Sequence, residues 1–369
     1  MPRISVKQKI KVKTVLIITL LWMIFLSFLF VHEFSSFKFR FPEQYDQMAI
    51  GVEYGLLMLA GMLAGLIGGS FFVFNINIKA RKQPFYFGIL LSAFYFLVVY
   101  ILITSIMSMI ALSIEKEKLP LDPEILRITF TENLFAPYQL SNILIWTLIV
   151  AVTQFMLQVN DMFGPGNLWK VFTGKYYTPR EELRVFMFLD LKSSTSIAEN
   201  LGHQQYYHFL NAFYAEISDP ILNRYGEIYQ YVGDEVVVSW TAQRAIRNLN
   251  CLHCFFDIRS TVEKSKKKYT DKYGFLPEFK AGIHFGPVTA GEVGVSKRDI
   301  VFTGDVLNTT SRIQSACASY EVDLLVSENT LALFDNLRPF TSIFVDKIEL
   351  RGKEKKIGLF KLELNGKTA

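Results

Sequence analysis

"YQYVGDEVVVSW", residues 229–240, is an apolar, β-branched run interrupted by Gly233-Asp234-Glu235. Aromatic and β-branched residues on both sides of a Gly-Asp pair predict two strands joined by a tight turn. Gly and Asp are common in turns for backbone reasons alone. A carboxylate at a hairpin tip takes on chemistry only if a second carboxylate meets it, so the rest of the chain has to supply one.

The stretch "RVFMFLDLKSSTSIAENLG" (184–202) offers that partner. Val185 to Leu189 is a continuous apolar run, the pattern of a strand buried on both faces, and it ends at Asp190. Ser193, Ser194, Thr195 and Ser196 follow as possible N-caps, and Ser196 with Glu199 fits a capping box. A helix N-terminus there would present free N–H groups and partial positive charge to phosphate.

Downstream, the periodicity predicts a helix over 204–223, the hairpin over 226–240 and a helix over 242–264. Strands are expected over 278–286, 288–294 and near 299–303, then a helix from Asp305. The order β-α-β-β-α-β with additions predicts an α+β domain around a ferredoxin-like core. If the hairpin lies beside the first strand, Asp190 and Asp234 meet at one end of the sheet. Two such carboxylates repel unless a cation lies between them. Their oxygens suit Mg²⁺, which normally keeps further ligands from substrate phosphates. A pair of such ions can activate an attacking oxygen and stabilise a leaving one. On spacing alone the plainer reading leads, because an Asp that ends a strand and an Asp in a turn are each common. Glu235, by strand alternation, is expected on the opposite face and outside any metal site.

A third stretch, "FTGDVLNTTSRIQSAC" (302–317), places Asn308 and Arg312 four apart, on one face of a helix. Arg can clamp phosphate oxygens as they gain charge, and Asn can hold a sugar oxygen.

The N-terminal half is different. Apolar runs at 15–32, 55–74, 87–112 and 140–158 each approach the roughly 20 residues that cross a bilayer. The first run follows a basic leader but is too long for a signal peptide, and no small-residue cleavage site follows it. Arg3, Lys7, Lys9, Lys11 and Lys13 precede the first span, and Lys79, Arg81 and Lys82 follow the second. The intervening loops carry Lys38 and Arg40, and a mostly acidic 113–139. The positive-inside rule then puts both termini and the C-terminal domain in the cytoplasm of a four-span integral membrane protein in contact with lipid. Gly61, Gly65 and Gly69 would line one face of the second span with small residues. No span has a central charge, which argues against a transporter or channel. The expected division is a four-helix transmembrane domain over 1–160, a linker over 161–183 broken by Gly164-Pro165-Gly166, and a catalytic domain over 184–369. A net charge of +5 with scattered basic residues argues against nucleic acid. The three cysteines include Cys251 and Cys254 at metal-ligand spacing, but they lie in an amphipathic helix with no second pair, so core packing is the reading.

Taken in order, "FLDLKSST", "YVGDEVVV", "KAGIHFGPVTAGEVG" and "GDVLNTTSRIQ" resemble the class III adenylyl/guanylyl cyclase family, over about Arg184 to Leu364. The four-span anchor is similar to that of membrane-bound bacterial members, which implies a bacterial inner membrane. The resemblance implies two Mg²⁺ or Mn²⁺ ions per site on Asp190 and Asp234, with the backbone carbonyl of Leu191 on one of them. It implies that Asn308 orients the ribose and that Arg312 stabilises the transition state. Ser193, Ser194 and Thr195 fall where phosphates bind, and Lys353 falls near a phosphate-contacting lysine. The implied reaction is attack of a ribose 3′-oxygen on the α-phosphate of a nucleoside triphosphate, releasing cyclic nucleotide and pyrophosphate. In the family one domain contributes the aspartates and its partner the Asn/Arg pair, so a homodimer is implied. Base selection departs from the family: Gln230 stands where adenylyl members usually have Lys, and Val301 where they have Asp or Thr. The Glu and Cys of guanylyl members are absent too. Thr303 lies close by in sequence. ATP is the expected substrate, with guanylyl cyclase or a weakly active sensor module as alternatives. A diguanylate cyclase fits poorly, because Val232-Gly233-Asp234-Glu235-Val236 lacks that family's paired glycines.

Overall fold

The computed structural model describes residues 5–40, 50–76, 83–164, 166–349 and 356–365. The chain forms two compact units, Gln8–Leu168 and, with the first residues to Lys7, Trp169–Ala369. Lys79, Arg81, Lys82 and Lys353 lie outside the described residues.

The N-terminal unit is built on α1 (Val6–Arg40), α2 (Ile50–Phe71), α3 (Phe85–Lys116) and α4 (Pro137–Phe163). Four helical windows are long and apolar enough to cross a membrane: Val6–Ser35, Leu57–Ile76 (which runs from α2 into the π-helical turn Phe72–Ile76), Phe85–Ile114 and Gln139–Phe163. Leu16, Leu20, Ile24, Phe28 and Ile67 point outward as exposed apolar side chains, an arrangement that lipid stabilises and water does not. Inside, Trp22 meets Phe72 and Trp146 edge-on at 6.2 and 5.8 Å, and its Nε1 donates to Thr153 Oγ1 at 3.1 Å. The glycine face of α2 lies against α1. A Cβ on Gly65 would fall 2.8 Å from the Thr19 backbone, whereas one on Gly69 would meet only side chains at 3.5 Å.

The C-terminal unit is a mixed sheet with helices on both faces. Its strands are β1 (Arg180–Leu191), β2 (Glu227–Val232), β3 (Glu235–Thr241), β4 (Phe279–Val293), β5 (Asp299–Thr303), β6 (Leu324–Ser327), β7 (Phe340–Glu349) and β8 (Lys356–Leu364). They run in the order β2-β3-β1-β4-β6-β8-β7, with β5 added along β4. β1 is central, antiparallel to β3 on one side and β4 on the other. Val185, Met187 and Leu189 face one core, with Phe209, Phe213 and Ile217 of α5 (Ser194–Asn223) and Cys254, Phe255 and Ile258 of α6 (Asn250–Lys264). Phe186 and Phe188 face the other, with Val237, Phe302 and Val306. Burial on both sides explains why β1 is apolar at every position from Val185 to Leu189 rather than at alternate ones.

Several boundaries differ from expectation. β1 starts at Arg180, inside the stretch expected as linker. α5 starts at Ser194, which puts Ser196 within its first turn, so the expected capping box with Glu199 does not form. The helix is kinked at Gly202, whose φ of 72° breaks the spiral. The expected helix over 242–264 is interrupted at Asn248 and Leu249, both in the left-handed region, before α6 begins. The two strands expected over 278–294 are one strand, β4, despite Pro287. Pro287 falls where β1 is the only neighbour, between the segment paired with β6 and the segment paired with β5, so no ladder bond is lost on that side.

Candidate active site

β2 and β3 join through a two-residue turn, Gly233-Asp234, because Val232 pairs with Glu235. Gly233 takes φ 63°, the positive value that such a turn asks of its first residue. The tip is pinned from α5, where the Tyr214 hydroxyl donates to the Gly233 carbonyl at 2.6 Å and its ring lies 4.5 Å from that of Tyr231.

This turn delivers Asp234 to the side of Asp190. Asp190 sits at the end of β1, between Glu235 of β3 and Lys280 of β4. Half-burial raises the Asp190 pKa, and the charge of Asp234 beside it raises it further. Lys280, with Nζ 3.5 Å from Asp190 Oδ2, and Gln314, whose Nε2 donates to the same oxygen at 2.9 Å, pull it back. Glu235 is pushed up to about 7, by burial first and then by Asp190 and Asp234. The expectation that Glu235 points away is therefore corrected. Alternation applies along a strand, but Asp234 is a turn residue, and cross-strand register sets Glu235 directly opposite Asp190. Three carboxylates thus crowd against one ammonium, Lys280. Burial and the Asp234 charge also raise Tyr214, to about 12, and Tyr206, whose side chain bonds Ser194.

The donor set fits a hard divalent cation. Hard carboxylate oxygens meet at a strand end, and their mutual repulsion favours a positive ion between them. Among the described residues no cage of three or more His, Cys, Asp or Glu side chains forms. Two carboxylates leave positions for substrate oxygens, which is how Mg²⁺ is commonly held.

The other expected residues divide into groups. Leu191 ends β1 with its side chain buried, and Ser193, Ser194 and Thr195 follow at the start of α5. Asn308 and Arg312 lie on α7 (Asp305–Ser319), exposed, and among the described residues neither makes a hydrogen bond or ion pair. The opposite face of α7 carries Val306, Thr310, Ile313 and Gln314, all buried. Gln230 is exposed on β2, and Val301 and Thr303 lie on β5. Tyr229 draws these two strands together. Its ring lies 4.9 Å from that of Phe302, and its hydroxyl accepts the Phe302 N–H at 3.2 Å.

Sequence reasoning did not single out Gln314, Lys280, Tyr214 or Arg184. Arg184 is 1% exposed and lies over the Phe302 ring at 4.4 Å. It donates to Glu182 at 2.8 Å, Ser239 at 3.0 Å and Glu227 at 3.2 Å. Glu227 also receives Lys170 at 3.1 Å, and Glu182 receives the Tyr176 hydroxyl at 3.0 Å. A charged residue directly abutting the uninterrupted apolar run Val185–Leu189 was the available signal. Cys251 and Cys254 are buried in the apolar core, where burial raises both thiols.

A family model described as the adenylate and guanylate cyclase catalytic domain matches residues 176–363. "Adenylate cyclase 2" of Rhizobium meliloti (strain 1021) is 34% identical over 211 residues, which are 56% of this chain and 57% of that protein. "Adenylate cyclase" of Anabaena cylindrica is 27% identical over 185 residues, 48% of this chain and 36% of that protein. The chain therefore spans well under two thirds of the length of these relatives. The solved structure of a bacterial light-regulated adenylyl cyclase overlays with a TM-score of 0.52 at 18% identity, covering 62% of this chain and 65% of that one. At that identity the overlay speaks for the fold alone.

Proposed function

The chain belongs to the adenylate and guanylate cyclase catalytic-domain family, and we propose that it is a membrane-anchored adenylate cyclase that works as a homodimer. The observation that carries this reading is a division of labour on α7. Its inner face reaches Asp190 through Gln314, and its outer face turns Asn308 and Arg312 away from that carboxylate. One copy thus holds an acidic half-site and, facing outward, a polar half-site. A two-fold partner would bring the second half-site of each copy to the first half-site of the other.

Asp190 and Asp234, with the Leu191 carbonyl, would hold Mg²⁺ or Mn²⁺ against the triphosphate. A bound divalent cation would draw charge from the phosphates and make the ribose 3′-oxygen a better nucleophile. The chain's own groups supply the rest. The N–H groups at the start of α5, at Ser193, Ser194 and Thr195, face phosphate oxygens. Asn308 orients the ribose, so that the 3′-oxygen lines up with the α-phosphorus. As the 3′-hydroxyl gives up its proton to solvent, its oxygen bonds to that phosphorus and the bond to pyrophosphate breaks, Arg312 would neutralise the gathering charge. Gln230 and Thr303 offer donors and acceptors to a purine edge, beside the apolar Val301. The relatives named adenylate cyclases support adenine as that purine. The basic leader supports an anchor whose termini and catalytic unit lie on the cytoplasmic side.

The test is direct. The full chain in detergent is incubated with ATP and GTP separately, with Mg²⁺ or Mn²⁺, beside the Asp234→Ala variant. Cyclic AMP from ATP, abolished by the substitution, is the expected result. Cyclic GMP alone overturns the choice of base. No product from either nucleotide, under conditions where the chain remains folded, overturns the enzymatic reading.

A further inference from the structure

Gln314 has a puzzling position. It sits on the buried face of α7, 4% exposed, among Val306, Thr310, Ile313 and Cys317. Burying an amide among such neighbours is costly unless its polar atoms are matched. Both are matched here. Nε2 donates to Asp190 Oδ2 at 2.9 Å, and the Ser315 hydroxyl donates to Oε1 at 3.4 Å, which agrees with the amide being turned nitrogen-first toward the carboxylate.

The backbone that carries this amide is itself seated against the sheet. A Cβ placed on Gly282 of β4 would fall 2.4 Å from the Gln314 nitrogen and 2.8 Å from its Cα. Only glycine lets α7 come this close. Gly282 pairs with Phe188, two residues before Asp190 on β1. The amide and the carboxylate are therefore fixed to the same piece of sheet at both ends. Lys280 converges on the same Oδ2 at 3.5 Å. A carboxylate anchored through one oxygen presents the other in a fixed direction.

We propose that Gln314 is a positioning residue for the cation site, holding the Asp190 carboxylate by Oδ2 so that its remaining oxygen is aimed at the divalent ion. The inference rests on the cyclase reading above, in which Asp190 is a metal ligand. Groups that hold a ligand in place commonly change metal affinity by about 10- to 100-fold when removed.

The experiment measures binding rather than turnover. Mn²⁺ is titrated into the full chain in detergent and followed by electron paramagnetic resonance. The α,β-methylene analogue of whichever triphosphate the wild type converts is present, so that no cyclisation occurs. Gln314→Leu removes the amide at similar volume. Gln314→Asn keeps an amide but falls one methylene short, and it serves if the Leu variant does not fold. Thermal unfolding in EDTA is recorded for each. The expected result is Mn²⁺ affinity about 10-fold or more below wild type in the folded variants. A lowered midpoint in EDTA with Mn²⁺ affinity within about twofold of wild type would show a purely structural role and overturn the proposal. Asp190→Ala separates the two levels of the argument. If it binds Mn²⁺ as the wild type does, the metal reading fails and the Gln314 proposal fails with it. If it loses Mn²⁺ while both Gln314 variants retain it, only the Gln314 proposal fails.

Discussion

The arrangement of α7 predicts complementation between two dead variants. Gln314, which touches Asp190, and Arg312 are two residues apart, so their side chains leave the helix about 200° apart. Asn308, six residues from Gln314, points about 240° round from it. A helix cannot offer opposite faces to one cleft, so in the proposed dimer the Asn/Arg pair would serve the partner's carboxylate pair rather than the one on its own inner side. Asp234→Ala and Arg312→Ala should then each abolish activity when made alone. Co-expressed in equal amounts, they should assemble about half of the dimers as mixed pairs, each with one intact site and one doubly damaged site. Half the dimers working at half capacity gives about one quarter of the wild-type rate. The assay is cyclic nucleotide production by membranes carrying both variants under two affinity tags, with the mixed pair isolated by sequential capture. The isolated pair should reach about half of the wild-type rate. A mixture no more active than either variant alone, with the mixed dimer present in quantity, would refute the placement of the two half-sites on different chains. So would an Arg312→Ala variant that is fully active by itself.

Other outcomes follow from the same geometry. Tyr214→Phe removes the hydroxyl that holds the Gly233 carbonyl and should cost about 0.5–1.5 kcal/mol, with a several-fold higher Mn²⁺ requirement, read from thermal unfolding and metal titration. Glu235 takes up a proton more readily in the folded chain, with its pKa pushed up to about 7 from an ordinary value of 4.5. In EDTA its ionisation therefore opposes folding, and the loss of stability grows as pH rises from about 4.5 through 7. Glu235→Gln should raise the unfolding temperature at pH 8 and leave it nearly unchanged at pH 4, and Mn²⁺ should shrink the difference at pH 8. In the N-terminal unit, Gly65→Ala should cost about 1–3 kcal/mol because its methyl meets backbone, whereas Gly69→Ala should be tolerated, as measured by thermal aggregation of the detergent-solubilised chain.

The hairpin, the strand before it and the order of elements were legible because each carries a local signal. A Gly-Asp pair between apolar runs has one economical conformation, and five consecutive apolar residues ending in Asp read as a buried strand. Four long apolar runs read as helices for a similar reason, though the first, third and fourth helices extend beyond them at both ends. What escaped notice depends on contacts across the chain. Gln314 looks like one more polar residue on an amphipathic helix until Asp190, 124 positions away, is placed beside it. Glu235 was misdirected by counting alternation from a residue that proved to lie in the turn. Pro287 reads as a break, and only the gap between two neighbouring strands makes it harmless within β4. The interruption at Asn248 and Leu249 has no Gly or Pro to announce it.

The ion cluster around Arg184 ties the stretch before β1 to the foot of the hairpin. Lys170 and Tyr176 grip, directly or through Glu182 and Arg184, the same Glu227 from which β2 sets out. Removing one charge from such a buried group strands the others, at a typical expense of about 3–5 kcal/mol, so the cluster holds or fails as a whole. The segment leading into the catalytic unit is thus clamped to it, not merely strung from it. β2 is a short stiff rod of about 20 Å with that clamp at one end and the Asp234 carboxylate just past the other. A tug or twist applied near Lys170 would pass into Glu227, and through Glu182 and Arg184 of the central strand, and so toward the tip that carries Asp234.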